Sequence, residues 1–305
     1  MGKNIKIGTR GSKLALWQAK WVKSELEKIF SSISFELVII KTKGDKILDV
    51  PLAMVGGKGL FLKEIEEALL NGRIDIAVHS MKDMPAELPD GLCIGAVPER
   101  ENPFDVFISR NQILFSDLGS GARIGTSSLR RAAQLLHSKP DINITPLRGN
   151  VETRIKKLEE QDLDGVVLAA AGVKRMNLES CITEYFDEDI MLPAVGQGAL
   201  CIETRANDNH IESVVNALDH YNTRVVVIGE RAFLNRLEGG CQVPIAAHGN
   251  IKDGCFTLCG LVACVDGKTI IRDRLSGTPE LSEDVGTRLA ERLLKAGAGK
   301  ILENL

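Results

Sequence analysis

Five short stretches of the chain place charged, hydroxylated or nucleophilic side chains beside glycine or proline at the ends of apolar runs. GTRGS (8–12) stands between a β-rich and an amphipathic run, so backbone N–H groups, the Ser12 hydroxyl and Arg10 can converge on an anion at a helix N-terminus. A tight glycine turn with Ser12 merely capping the helix accounts for the same residues. GTSSLRR (125–131) repeats the device with Thr126, Ser127 and Ser128 ahead of Arg130 and Arg131. Two cations in a first helical turn oppose the macrodipole by roughly 0.3–1 kcal/mol each, which a bound anion would offset. The alternative is that both point into solvent. Arg148 in LRGN and Arg154 in VETR add cations at the next strand end and helix start, and such a set suits carboxylates or phosphates held bidentately.

The remaining two stretches carry different chemistry. HSMKDMP (79–85) sets His79, Lys82 and Asp83 after an apolar run and stiffens the exit with Pro85. A lone Asp in a loop is ordinarily a turn residue, but a carboxylate among cations can bind N–H groups or stabilise a developing positive charge, which makes Asp83 the leading catalytic candidate. EGGCQVP (238–244) exposes Cys241 behind two glycines, a setting for a nucleophile or covalent attachment point. Cys93, Cys201 and Cys259 read instead as small buried hydrophobes.

The elements that must position these residues alternate. Ile5 and Ile7 mark a strand, and Leu14, Trp17, Trp21 or Val22, Leu26 and Ile29 mark a helix. FELVIIK, a helix over 60–70 and the run RIDIAVHS complete one α/β unit up to about Pro98. The rhythm repeats from DVFISR (105–110) through GVVLAAA, predicting mostly parallel sheets with helices on both faces and polar motifs at strand C-termini, where ligands bind. AVGQGALCIETR offers a strand that returns to the first unit. The last region opens on a long helix and gives three β-rich runs split by Asp253-Gly254 and Asp266-Gly267, an antiparallel meander closed by a helix. The expected fold is thus two similar α/β domains flanking a cleft, 1–98 with 199–217 and 104–192, plus a small α+β domain with a three-stranded antiparallel sheet over 221–305. GDKILDVPLAMVGGKG (44–59) is long enough to act as a lid.

Composition narrows the function. With 38 Lys+Arg against 41 Asp+Glu and a net charge of −3, the chain as a whole is no trap for nucleic acid or anionic membrane, so any anion is held by a local cluster. Seven dispersed cysteines, an odd number, suit a reducing, cytoplasmic setting. No apolar h-region or run of about 20 apolar residues calls for export or a membrane anchor. Cys-x-x-Cys pairs, GxxxxGK[ST] and a GxGxxG after the first strand are missing, so neither a metal site nor a phosphate loop is expected. A non-catalytic solute-binding module would use the same strand-end anion sites, and Cys241 discriminates against it.

GTRGSKLAL, GGKGLF, HSMKDMP, GTSSLRR, LRGNVETR, AAAGVKR, PAVGQGAL and EGGCQVP, in that order from about residue 5 to 250, resemble the porphobilinogen deaminase (hydroxymethylbilane synthase) family. The resemblance implies periplasmic-binding-protein-like α/β domains and a third domain whose cysteine, here Cys241, holds a dipyrromethane cofactor by a thioether. It implies a monomeric transferase that adds four porphobilinogen molecules head to tail, releases ammonia each time and frees hydroxymethylbilane for haem and other tetrapyrroles. On the matching positions, Asp83 and Lys82 would be catalytic. Cofactor binding would fall to Ser12, Lys58, Thr126, Ser128, Arg130, Arg131 and Arg148 with Lys82 and Asp83. Substrate binding would fall to Arg10, Gln18, Arg148, Arg154, Arg175 and Gln197. No metal, nucleic acid or membrane enters.

Overall fold

The computed structural model describes residues 4–42, 44, 62–85, 87–238 and 243–303. Lys58, almost all of the 44–59 stretch, and Cys241 with its flanking glycines lie outside the described residues. The chain divides into two compact units, Met1–Arg100 with Ala199–Arg224, and Glu101–Gly198 with Val225–Leu305.

In the first unit, β1 (Asn4–Thr9), β2 (Ser34–Ile39), β3 (Ile76–Ser80), β4 (Leu92–Ala96) and β10 (Leu200–Arg205) form one sheet in the order β2-β1-β3-β10-β4. Successive residues of β3 face opposite sides. Ile76 and Val78 pack with Ile5 and Ile7 under Ala19, Val22 and Leu26 of the helix Lys13–Ile29. Ala77 packs on the other side with Ile65, Ala68 and Leu69 of the helix Lys63–Leu70. Burial on both faces explains why RIDIAVHS reads as an unbroken apolar run. Ile29, expected on the apolar stripe, is 50% exposed, because Phe30 and Ile33 fill that end of the core.

The second unit repeats the plan. β5 (Asp105–Ser109), β6 (Arg123–Gly125), β7 (Asn143–Thr145), β8 (Gly165–Ala169) and β9 (Glu184–Tyr185) stand in the order β7-β6-β8-β5-β9. Val106 and Ile108 face one core while Phe107 faces the other. Both sheets are parallel as expected except for one reversed strand, β10 in the first and β5 in the second, each fourth in order and antiparallel to both neighbours. The expected return strand is β10. The C-terminal meander is present as β11 (Ile245–Lys252), β12 (Cys255–Ala263) and β13 (Ile270–Gly277), antiparallel and sequential. Its turns use positive φ at Asp253, Gly254 and Gly267, as the two Asp-Gly pairs predict. Phe233, Phe256, Val285 and Leu289 fill the core between this sheet and the helices Tyr221–Arg236 and Ser282–Leu293.

A buried polar cluster lies on the Ala77 face of the first sheet. His79 Nε2 is 3.0 Å from Glu203 Oε2, both side chains being almost wholly buried. Burial first, and then the charge of Glu203, raise the pKa of Glu66 on the facing helix, with His79 pulling the other way. A carboxyl whose folded-state pKa lies above its unfolded value binds the extra proton in the native state, so its contribution to stability falls as pH rises through that window. Glu66→Gln is therefore expected to melt a few degrees higher than the parent at neutral pH, with the difference shrinking as pH falls through the acid range. Thermal scans across that range check it; a lower midpoint for the variant at neutral pH is the opposite result.

Candidate active site

Parallel pairing brings the first two motifs to one sheet edge. Gly8 of β1 lies beside Ala77 of β3 in parallel, so Arg10 and Ser12 follow β1 at the same sheet edge at which Lys82 and Asp83 follow β3. Ser12 caps the helix Lys13–Ile29 by accepting from Ala15 N at 3.3 Å, and its hydroxyl proton is still a donor. Gln18, buried, donates from Nε2 to Ser80 Oγ at 2.9 Å and so ties that helix to the end of β3. The next residues form one 3₁₀ turn, Met81–Asp83, in which Met81 N donates to Ala199 O at 3.0 Å. Met81 and Met84 are buried, Lys82 is half-buried and Asp83 is exposed. Two apolar anchors thus hold up a carboxylate.

The second sheet gathers its motifs in the same way, with β6 parallel to both β7 and β8. Thr126 is buried and accepts from Ser128 N at 3.2 Å. Ser128 in turn caps the helix Leu129–Ser138. Arg148 and Arg154 are half-buried, and Arg154 Nε donates to Gly149 O at 2.8 Å. Only glycine serves at 149, where φ is 115° and a Cβ would sit 2.6 Å from Thr153 Cγ2. Arg175, after β8, is buried and donates from Nη2 to Gly198 O at 2.8 Å. Burial pulls its pKa down to about 10, which leaves it cationic at neutral pH.

Arg130 and Arg131 do not point into solvent; they are 5% and 6% exposed. Both turn to Asp105, the first residue of β5, which is fully buried. Arg131 reaches its Oδ1 with Nε at 3.0 Å and Nη2 at 2.7 Å, and Arg130 Nη2 lies 2.8 Å from Oδ2. Gln197 Nε2 adds a bond to Oδ1 at 3.1 Å and another to Pro103 O at 2.7 Å. Backbone carbonyls take other guanidinium protons, Leu192 O from Arg130 Nη1 at 2.7 Å and Val167 O from Arg131 Nη1 at 3.1 Å. Three expected site residues therefore share one carboxylate that sequence reading missed. A signal existed: an acidic residue opening an otherwise apolar strand while two arginines lacked a local partner.

Two family descriptions cover most of the chain. "Porphobilinogen deaminase, dipyromethane cofactor binding domain" matches residues 5–213, and "Porphobilinogen deaminase, C-terminal domain" matches 225–295. The chain belongs to the porphobilinogen deaminase family. It is 56% identical to the porphobilinogen deaminase of Trichlorobacter lovleyi, over 99% of this chain and 97% of that one. Identity is 55% to that of Carboxydothermus hydrogenoformans, over 100% and 98% of the two chains. The enzyme condenses four porphobilinogen molecules head to tail onto a covalently bound dipyrromethane cofactor, releases ammonia at each step and then hydroxymethylbilane, in tetrapyrrole biosynthesis. The family assignment sets aside the solute-binding alternative. Among the described residues, no helix is long and apolar enough to cross a membrane.

Removing Asp105 leaves two guanidiniums buried beside one another. Asp105→Ala is expected to lose about 3–5 kcal/mol of unfolding free energy, the range for breaking a buried ion pair from one side. Urea denaturation measures it. A loss below about 1 kcal/mol, typical of an exposed pair, would mean that water reaches the site.

Proposed function

We propose that Cys241 carries the cofactor and that Asp83 is the carboxylate that stabilises the reacting cation. The supporting observation is the exposed Asp83 carboxylate, held between buried Met81 and Met84 at the strand end that Arg10 and Ser12 adjoin. The donor set suits a two-pyrrole group: guanidiniums and hydroxyls match carboxylate side chains, and an exposed carboxylate matches pyrrole N–H groups. Ser12, Lys58, Lys82, Asp83, Thr126, Ser128, Arg130, Arg131 and Arg148 would hold the cofactor, which when bound supplies the pyrrole carbon that receives the first substrate unit.

Arg10, Arg148 and Arg154, with Gln18, Arg175 and Gln197, take the carboxylates of incoming porphobilinogen in this reading. Gln18, Arg175 and Gln197 are already anchored to Ser80, Gly198 and Asp105, so little reorganisation accompanies binding. As ammonia leaves, positive charge develops on the substrate, and Asp83 counters it, with Lys82 beside it in the same 3₁₀ turn. We also place the enzyme in the reducing cytoplasm, a reading supported by six free thiols among the described cysteines.

Intact mass tests the attachment. The parent should exceed its sequence mass by a two-pyrrole adduct, and Cys241→Ser should lose adduct and activity together; an unmodified, fully active parent would refute it. Asp83→Asn keeps the shape and removes the charge, so the adduct and the thermal midpoint should persist while kcat falls by about 10²–10³, the loss typical of one aligned electrostatic group. Near-normal turnover with the adduct in place would remove Asp83 from the mechanism.

A further inference from the structure

Glu230, in the helix Tyr221–Arg236, is fully buried and takes no part in the chemistry described above. Its two carboxylate oxygens are each used by a backbone amide: Gly196 N donates to Oε2 at 2.6 Å and Gly249 N donates to Oε1 at 2.9 Å. Gly249 belongs to β11, whereas Gly196 belongs to the stretch PAVGQG (193–198), which ends where the chain leaves this unit for the first.

That stretch is held residue by residue. Gly196 has φ 68° and is gripped by Glu230. Gln197 is turned inward, its amide bridging Pro103 O and Asp105 Oδ1. Gly198 has φ 89° and passes so close to Glu101 that a Cβ would lie 2.3 Å from the Glu101 carbonyl oxygen, while its own carbonyl takes the bond from Arg175. Without a fixed Gly196, the backbone torsions that aim the Gln197 amide are no longer set from the C-terminal domain.

We propose that Glu230 is a positioning residue for the condensation reaction. Its carboxylate fixes the Gly196 amide, which sets the Gln197 side chain against Asp105 and so holds the Arg130–Arg131 pair where anionic pyrrole side chains are bound. The proposal rests on the reading of those arginines given above.

The test compares Glu230→Gln with Gln197→Leu, the double variant, and Phe233→Leu, a core substitution three residues on in the same helix, whose ring packs against Gly260 of β12. All are measured as kcat/KM per cofactor-loaded molecule, with loading from intact mass and assays well below each thermal midpoint. Glu230→Gln keeps one acceptor oxygen but turns an amide N–H₂ toward a backbone N–H, and should lower kcat/KM by about ten- to a hundredfold, as displaced binding groups do. The double variant should be no worse than the worse single one, because both substitutions break the same chain of contacts. Phe233→Leu should lose thermal stability and keep the kcat/KM of the parent. Parental kcat/KM for Glu230→Gln, or losses that multiply in the double variant, would overturn the proposal. An equal kcat/KM loss in Phe233→Leu would also overturn it, since general loosening would then suffice. If Gln197→Leu alone leaves kcat/KM unchanged, the reading of the Asp105 group fails first. Should Glu230→Gln not fold, Glu230→Asp keeps the charge and shortens the reach. Hydrogen exchange on the parent must then show the amides of residues 194–198 protected; free exchange there is the contrary result.

Discussion

Asp105 imposes a strict electrostatic constraint on the second unit. A carboxylate taken wholly out of water at the start of a strand is tolerable only with charged partners in good geometry, and here two guanidiniums and an amide supply them. The partners come from the first turn of the helix Leu129–Ser138 and from the stretch that ends at Gly198. Replacing such a group by apolar residues often leaves stability unchanged or improved, so its worth lies in geometry. Between them the guanidiniums bind Asp105, Val167 O and Leu192 O, and those bonds fix the register of helix, β5 and β8 around the C-terminal edge of the sheet. Two positive charges against one negative also leave a local excess of one cation there.

The first unit solves the same problem with different residues. Its reversed strand β10 also carries a fully buried carboxylate, Glu203, and β3 meets it with His79. In both sheets the strand that runs against the others is apolar apart from a few residues, and one of these is a buried acid paired to a base from a separate segment. Lining motifs along one edge follows from the topology: parallel neighbours end on the same side, so the loops after β1 and β3, and after β6, β7 and β8, emerge together. Capping adds precision, with Ser12, Ser128 and Asn150 each binding an amide of the helix that follows.

Much of this was legible because it is local. Period-2 and period-3.6 patterns mark the strands and helices, Asp-Gly pairs mark the meander turns, and the ordered motifs identify the family. What escaped notice depends on partners far apart in the chain. Asp105 meets Arg131 across 26 residues and Gln197 across 92, and His79 meets Glu203 across 124. No window of sequence contains both members of such a pair, and a buried acid looks the same in one dimension as a surface one. The same limit made GTSSLRR readable as an anion site or as solvent-facing cations, but not as the shell of an internal carboxylate. Glu230 was hidden for a further reason, since the contacts to Gly196 and Gly249 are to backbone amides, which carry no sequence signature at all.

Charge explains why so much of the arrangement is internal. Each pyrrole unit brings two carboxylates, and the chain as a whole is already slightly acidic at −3, so long-range attraction cannot gather the growing product. Beyond a screening length of about 8 Å at physiological salt, only the nearest cations count. Binding strength must then come from guanidiniums kept partly out of water, where each bond is less screened. Such guanidiniums would repel one another if nothing anionic lay between them. Asp105 provides that anion permanently, so Arg130 and Arg131 stay side by side whether or not a carboxylate from outside is bound, and the edge of the sheet keeps its geometry between one addition and the next.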